Sequence, residues 1–396
     1  MLNLETISQS LNTLVIFRHL LSEPILAELK NFSEHLACRE KEAALFAYGG
    51  LVQAVYQSAG SLGGGIAALL LEDDNLYVRK KAAGEEIPAY LQQCLDAELD
   101  VFARIAALTP DDFRRALGYA GFLPGWEENG CDLKEEYYRR ASLLSQHGYG
   151  IYAKYTSFIL RDGAIVPVQY PDRISLSDLK GYENERRQVI ENTRALVERR
   201  PAQNVLLTGD AGTGKSSTVK AVANYFAPMG LRLIQITKSQ LHDLPMITDE
   251  LSANPLRFIL FIDDLSFSGN DDDFGALKAV LEGSVTAKAA NTAIYVTSNR
   301  RHLVKESFRD RDGDEVHHND TLQEIISLSD RFGLTVTYIH PDRKAYLDIV
   351  CALADSHGLI LDREELCRGA EAFAMRKGGR SPRAARQYID SLLSRE

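Results

Sequence analysis

The chain has 396 residues, more than one hydrophobic core usually organises, so two or three domains are expected. Hydrophobic residues at 45% and charged residues at 25% are ordinary values for a globular protein. The net charge of −10 argues against a general electrostatic grip on nucleic acid or anionic membrane and leaves room only for a local basic patch. At the N-terminus, Met1-Leu2-Asn3-Leu4-Glu5 lacks a basic stretch followed by an apolar one, and no apolar run reaches the ~18 residues that span a bilayer. The five cysteines, Cys38, Cys94, Cys131, Cys351 and Cys367, form no C-x-x-C pair, so neither a zinc site nor a disulfide framework is indicated. A cytoplasmic protein without a membrane partner is the expectation.

Residues 1–170 read as a mainly helical domain that selects a partner or substrate. Leu11, Leu14, Val15, Phe17 and Leu21 form an apolar stripe at roughly helical spacing, and residues 40–58 and 87–108 repeat the pattern. The run Gly60-Ser61-Leu62-Gly63-Gly64-Gly65 lacks a Lys-Ser ending and reads as a flexible helix–helix connection. Trp126, Tyr137, Tyr138, Tyr149, Tyr152 and Tyr155 read as core aromatics of this part. Pro167 to Pro171 reads as an extended linker, followed by a helix carrying Val189, Ile190, Thr193, Leu196 and Val197 on one face.

The segment Gly209-Asp210-Ala211-Gly212-Thr213-Gly214-Lys215-Ser216 reads G-x-x-x-x-G-K-S, a phosphate-binding P-loop. It follows the apolar run 204–208, the pattern of a buried parallel strand. It precedes Val219, Val222, Ala223 and Phe226 at helical spacing. A glycine-rich turn between strand and helix aims backbone N–H groups and the positive helix end at phosphate oxygens. Lys215 is expected at the β/γ-phosphates of ATP, Ser216 on Mg²⁺, and Ser217 beside them.

Further apolar runs at 231–237, 258–263, 292–298 and 334–339 alternate with helical stretches, so 171–340 reads as an α/β domain with a five-stranded parallel sheet. Residues 341–396 read as a small helical domain of three helices, 343–354, 363–376 and 382–393, the last capped by Ser381 with Pro382 at its first position. Phe258 to Asp264 is an apolar run ending in two carboxylates, the Walker B pattern. Asp263, at the end of a strand expected beside the P-loop strand, is assigned to Mg²⁺. Asp264 stands where a glutamate usually polarises the attacking water, one methylene shorter. Asn299 ends the next strand as a polar residue. Arg300, Arg301 and His302 after it are the most basic local string. Arg331 precedes the fifth strand, and Arg383 sits in the first turn of the last helix, where a cation opposes the helix dipole and needs an anion nearby. His302, His317 and His318 around the 306–320 insertion have no regular ligand spacing and read as an exposed loop.

Together these strings resemble the AAA+ ATPases from about Ser177 to the C-terminus. The stretches 297–303 and 327–334 resemble, more closely, an uncharacterised bacterial family of predicted AAA+ ATPases. The resemblance implies that Gly181 and Tyr182 lie against adenine, that Asn299 is sensor 1, Arg331 an arginine finger reaching a neighbouring subunit, and Arg383 sensor 2. It further implies a homo-oligomer with subunit-shared ATP sites and a helical lid. Asp264 departs from the usual glutamate, although helicase-loader-like relatives also carry Asp-Asp. The expected function is an Mg²⁺-dependent ATPase that remodels or assembles a macromolecular partner, protein or DNA. The alternative is a DNA-associated loader or initiator that uses ATP as a slow switch. A small-molecule kinase would leave the arginines unexplained.

Overall fold

The computed structural model describes residues 3–128, 130, 132–266, 275, 277, 278, 281, 290–299 and 331–394. Two compact units divide the chain, Met1–Lys154 and Tyr155–Glu396.

The first unit is helical: α1 (Ile7–Asn12), α2 (Pro24–Ala37), α3 (Lys41–Gln57), α4 (Leu62–Leu71), α5 (Leu76–Ala82), α6 (Ala89–Ala106), α7 (Pro110–Leu117), α8 (Leu133–Ser142), α9 (Leu144–His147) and α10 (Ile151–Lys154). In α6 the buried residues Leu91, Leu95, Glu98, Leu99, Phe102 and Ile105 recur every three or four positions, one face of a helix turned to the core. Glu98 belongs to that face because its carboxylate accepts the backbone N–H groups of Val15 (2.7 Å), Ile16 (3.1 Å) and Phe17 (3.1 Å). Those donors follow α1 and would otherwise lack acceptors in the interior. Aromatic packing continues the core, with Phe17 edge-on to Phe102 and Tyr137, and Trp126 against Tyr48 and Phe113. The triple glycine is not a connection. Ser61 caps α4 by accepting from Gly64 N at 3.0 Å, and Gly63 to Gly65 form the first turn of that helix. A Cβ on Gly65 would lie 2.5 Å from Ile25 Cδ1, so the absence of a side chain lets α2 and α4 pack closely. No single described helix is long and apolar enough to cross a membrane. The pair α3 and α4 passes by length and composition alone, is bent by 64°, and buries Leu51, Val55, Leu62, Ile66 and Leu70 in the core.

The second unit is α/β. Its strands are β1 (Ser157–Arg161), β2 (Ala164–Pro167), β3 (Val205–Gly209), β4 (Leu231–Ile236), β5 (Arg257–Ile262), β6 (Thr292–Thr297) and β7 (Leu334–Tyr338). They form one seven-stranded sheet in the order β2-β1-β4-β5-β6-β3-β7, parallel throughout except for the β1/β2 hairpin. The sheet therefore has seven strands rather than the five expected. The two additional strands lie at 157–167, inside the stretch read as helical. Their turn is Asp162-Gly163, with φ of 51° and 76°, the left-handed pair that a two-residue hairpin needs. After the hairpin, residues 168–175 run outside the sheet. Asn224 on α12 (Lys215–Phe226) holds them by donating to the carbonyls of Asp172 and Ile174, both at 2.8 Å.

Strands β3, β5 and β6 are buried along nearly their whole length, which is why each reads as an unbroken apolar run. Helices α11 (Glu183–Val197), α12 and α13 (Leu244–Ser252) belong to the same unit, with Val189, Val219, Val222 and Phe226 packed against β3, β5 and β6. Beyond β7, α14 (Arg343–Ser356), α15 (Arg363–Arg376) and α16 (Pro382–Leu393) build a second small core from Tyr346, Val350, Ala370, Ala385 and Ile389. Asp342, Asp362 and Ser381 cap the three helices by accepting from the N–H three residues on.

Candidate functional site

The loop Gly209–Ser216 leaves the C-terminal end of β3 and opens α12, as its sequence demands. Gly209 has φ 119°, and a Cβ there would stand 1.9 Å from the Tyr338 carbonyl oxygen, so only glycine fits beside β7. Asp210 fastens the loop to the same place: its N–H donates to Tyr338 O at 2.8 Å, and its carboxylate accepts from His340 N at 2.7 Å. Thr213 donates to Asp210 O at 2.8 Å, while Ala211 is exposed at the tip. Gly212 and Gly214 take φ of 77° and 95°, which turn the backbone into the helix.

Lys215 is buried, 5% exposed, and donates to three oxygens: Gly209 O (2.9 Å), Asp210 O (2.8 Å) and Asn299 Oδ1 (2.9 Å). Burial lowers the pKa of its ammonium, the carboxylates of Asp210, Asp264 and Asp263 oppose that, and Arg383 adds to it. Asn299 follows β6 and donates from Nδ2 to Asp264 Oδ1 at 2.7 Å. Its amide orientation is settled by chemistry, since the reverse would set an NH₂ group against the Lys215 ammonium. Ser216 Oγ donates to Asp263 Oδ1 at 2.5 Å, so a hydroxyl and a carboxylate offer hard oxygens at one point. Lys215, Asn299 and Asp264, and beside them Ser216 and Asp263, are thus brought together from separate segments as two hydrogen-bonded sets, which the Thr297 hydroxyl joins. One expectation is corrected. The strand carrying Asp263, β5, is not beside β3; β6 lies between them. Asp263 still reaches the loop because β5, β6 and β3 are parallel and end on the same side.

A cleft of about 260 Å³ opens over the loop, lined by Gly212, Gly214 and Ser217, by Tyr182, and by residues of α14 and α16. Gly181 (φ 74°) and Tyr182 (φ 59°) turn into α11. A Cβ on Gly181 would meet Ile349 Cδ1 of α14 at 2.7 Å, and Tyr182 donates from its hydroxyl to Ile339 O at 2.6 Å. Arg383 lines the cleft and donates its backbone N–H to Gly212 O at 3.1 Å, so α16 starts directly against the loop. The lining joins four cations, Lys180, Arg186, Arg383 and Arg386, in excess over two carboxylates, Asp178 and Asp390, to an apolar wall of Ile174, Leu179, Ile349 and Leu353. That chemistry suits an anion with an apolar body.

Arg331 lies elsewhere. It precedes β7, whose register sets Leu334 against Val205 and Tyr338 against Gly209, so it stands at the opposite end of the strand from the loop. At about 3.3 Å per residue the separation is on the order of 20 Å, beyond the length of its side chain. Arg300, Arg301 and the histidines 302, 317 and 318 fall outside the described residues.

Sequence reasoning missed Lys180, Arg186, Arg386 and Thr297. Arg186, mostly buried, donates to the Gly181 carbonyl and holds that turn. Thr297, 1% exposed, donates to Asp263 Oδ1 at 2.6 Å and accepts from Asp264 N at 2.9 Å. The available signal for Thr297 was a hydroxyl closing a buried apolar strand; the three basic residues become neighbours only through the tertiary fold.

A comparison with curated proteins found no match. The family model described as "Protein of unknown function (DUF815)" matches residues 153–396, beginning within two residues of the second unit and containing every residue of the site above. That match covers more than half of the chain, and the protein belongs to this family.

Proposed function

We propose that the chain is an Mg²⁺-dependent ATPase of the AAA+ type, whose hydrolysis drives remodelling or assembly of a macromolecular partner. The observation that carries this reading is the chain of contacts from Lys215 through Asn299 to Asp264, beside the Ser216–Asp263 pair. A mostly parallel sheet with a three-helix lid over the loop supports it.

In this reading the loop N–H groups and the start of α12 cradle the phosphates. The Lys215 ammonium, already donating to three oxygens, exchanges at least one of them for phosphate. Ser216 and Asp263 fit Mg²⁺, which takes only one or two protein oxygens and completes its shell with water and phosphate. Bound there, the ion would neutralise charge on the β- and γ-phosphates. Gly181, Tyr182 and the apolar wall hold the base. Asp264 and Asn299 orient the attacking water, and Arg383 brings the lid to the γ-phosphate. Arg331, too far from its own loop, serves the site of an adjacent subunit.

Asp264→Asn tests the chemical role. The variant is expected to bind ATP within about threefold of wild type and to lose about 100-fold in phosphate release, the scale of a lost general base. Phosphate release at the wild-type rate would sink the assignment.

A second reading, a DNA-associated loader that hydrolyses slowly, draws on one feature. Asp264 is short, adopts φ 52°, and is tied to Asn299. DNA retention that requires ATP and falls with salt would favour it.

A further inference from the structure

We infer that Thr297 is a positioning residue that holds Asp263 and Asp264 in register with the loop and thereby sets the affinity for Mg²⁺. The inference rests on the ATPase reading and deepens it. Thr297 grips both sides of the Asp-Asp step. Its hydroxyl donates to Asp263 Oδ1 at 2.6 Å and accepts from Asp264 N at 2.9 Å. Its carbonyl accepts from Leu265 N at 2.8 Å.

Two consequences follow from hydrogen-bond direction. Asp263 Oδ1 receives two hydroxyl protons, from Thr297 and from Ser216 at 2.5 Å, so its carboxylate is turned toward the loop and cannot rotate freely. Asp264 has φ 52°, a left-handed conformation unusual outside glycine, and the bond from its N–H to Thr297 Oγ1 helps to hold it there. The Asp264 carboxylate then reaches Asn299. One buried hydroxyl therefore orients the metal-side carboxylate directly and the water-side carboxylate through the backbone. Partners that orient a metal ligand in this way typically change metal affinity or activity by roughly 10–100-fold when removed.

The test titrates a fluorescent ATP analogue onto the full chain over a range of Mg²⁺ concentrations, and again with chelator present. Thr297→Val keeps the shape and deletes the hydroxyl. It is expected to raise the Mg²⁺ concentration for half-maximal binding about tenfold or more, with chelator-present affinity unchanged. Thr297→Ser restores the hydroxyl and is expected to return to within about threefold of wild type. A Val variant with the wild-type Mg²⁺ curve overturns the inference, as does a Ser variant no better than Val. If the Val variant does not fold, Thr297→Cys replaces it; its weak thiol donor should leave the curve shifted, and a wild-type curve overturns the inference. A wild-type chain that binds no nucleotide would overturn the ATPase reading as well, whereas normal wild-type binding with unshifted variants overturns this inference alone.

Discussion

Lys215→Ala is expected to weaken ATP binding about 100-fold, equivalent to roughly 2.8 kcal/mol. The ammonium is held at the base of the loop by the carbonyls of Gly209 and Asp210 and by Asn299, with α12 opening directly behind it. Removing it takes away a desolvated positive charge from the place where the phosphates would sit, and leaves those acceptors without their shared donor. Fluorescent-nucleotide titration or calorimetry measures the loss. Circular dichroism should be unchanged, because the loop is also fastened by Asp210 to Tyr338 and His340. Retained tight binding would remove the Gly209–Ser216 loop from the account.

Arg331→Ala should behave in the opposite way. ATP binding is expected to stay within about twofold of wild type while turnover falls about 10³-fold, the low end of the effect of losing an arginine that acts across an interface. The reason is positional. Arg331 stands before β7 at the end of the sheet away from the loop, so it completes a site only if that site belongs to another copy. Mixing makes the claim sharper. A Lys215→Ala subunit still presents Arg331, and an Arg331→Ala subunit still presents a working loop. Random assortment of the two inactive variants should restore activity at roughly a quarter of the sites in a head-to-tail assembly. A mixture as silent as its parents, or an Arg331→Ala variant with wild-type turnover, contradicts shared sites.

The parts of the site that were legible in the sequence are those where local chemistry is self-sufficient. Gly209 to Ser216 announces itself because the glycines serve backbone angles and close approach, the lysine and serine serve an anion, and the apolar run before them must be a buried strand. Ser381 and Pro382 announce the start of α16 for the same local reason. What was not legible depends on distance in space. Nothing in the order of the runs says that β6 enters between β3 and β5, because crossover connections let strands that are distant in sequence become neighbours. The β1/β2 hairpin was hidden by brevity: five and four residues, with a turn signal of only Asp162-Gly163. The triple glycine misled because Gly65 is used in packing against Ile25, which no spacing rule encodes. Thr297 was unremarkable in the chain and became informative only when Asp263 and Asp264 were found on either side of its hydroxyl.

The central claim is that the loop, the two carboxylates and Asn299 form a single Mg²⁺·ATP site. Calorimetric titration of the wild-type chain with ATP, with Mg²⁺ and then with chelator, tests it most directly. Saturable binding of one nucleotide per chain, tighter when Mg²⁺ is present, is the expected result. A flat titration at millimolar nucleotide, or binding indifferent to Mg²⁺, would contradict it.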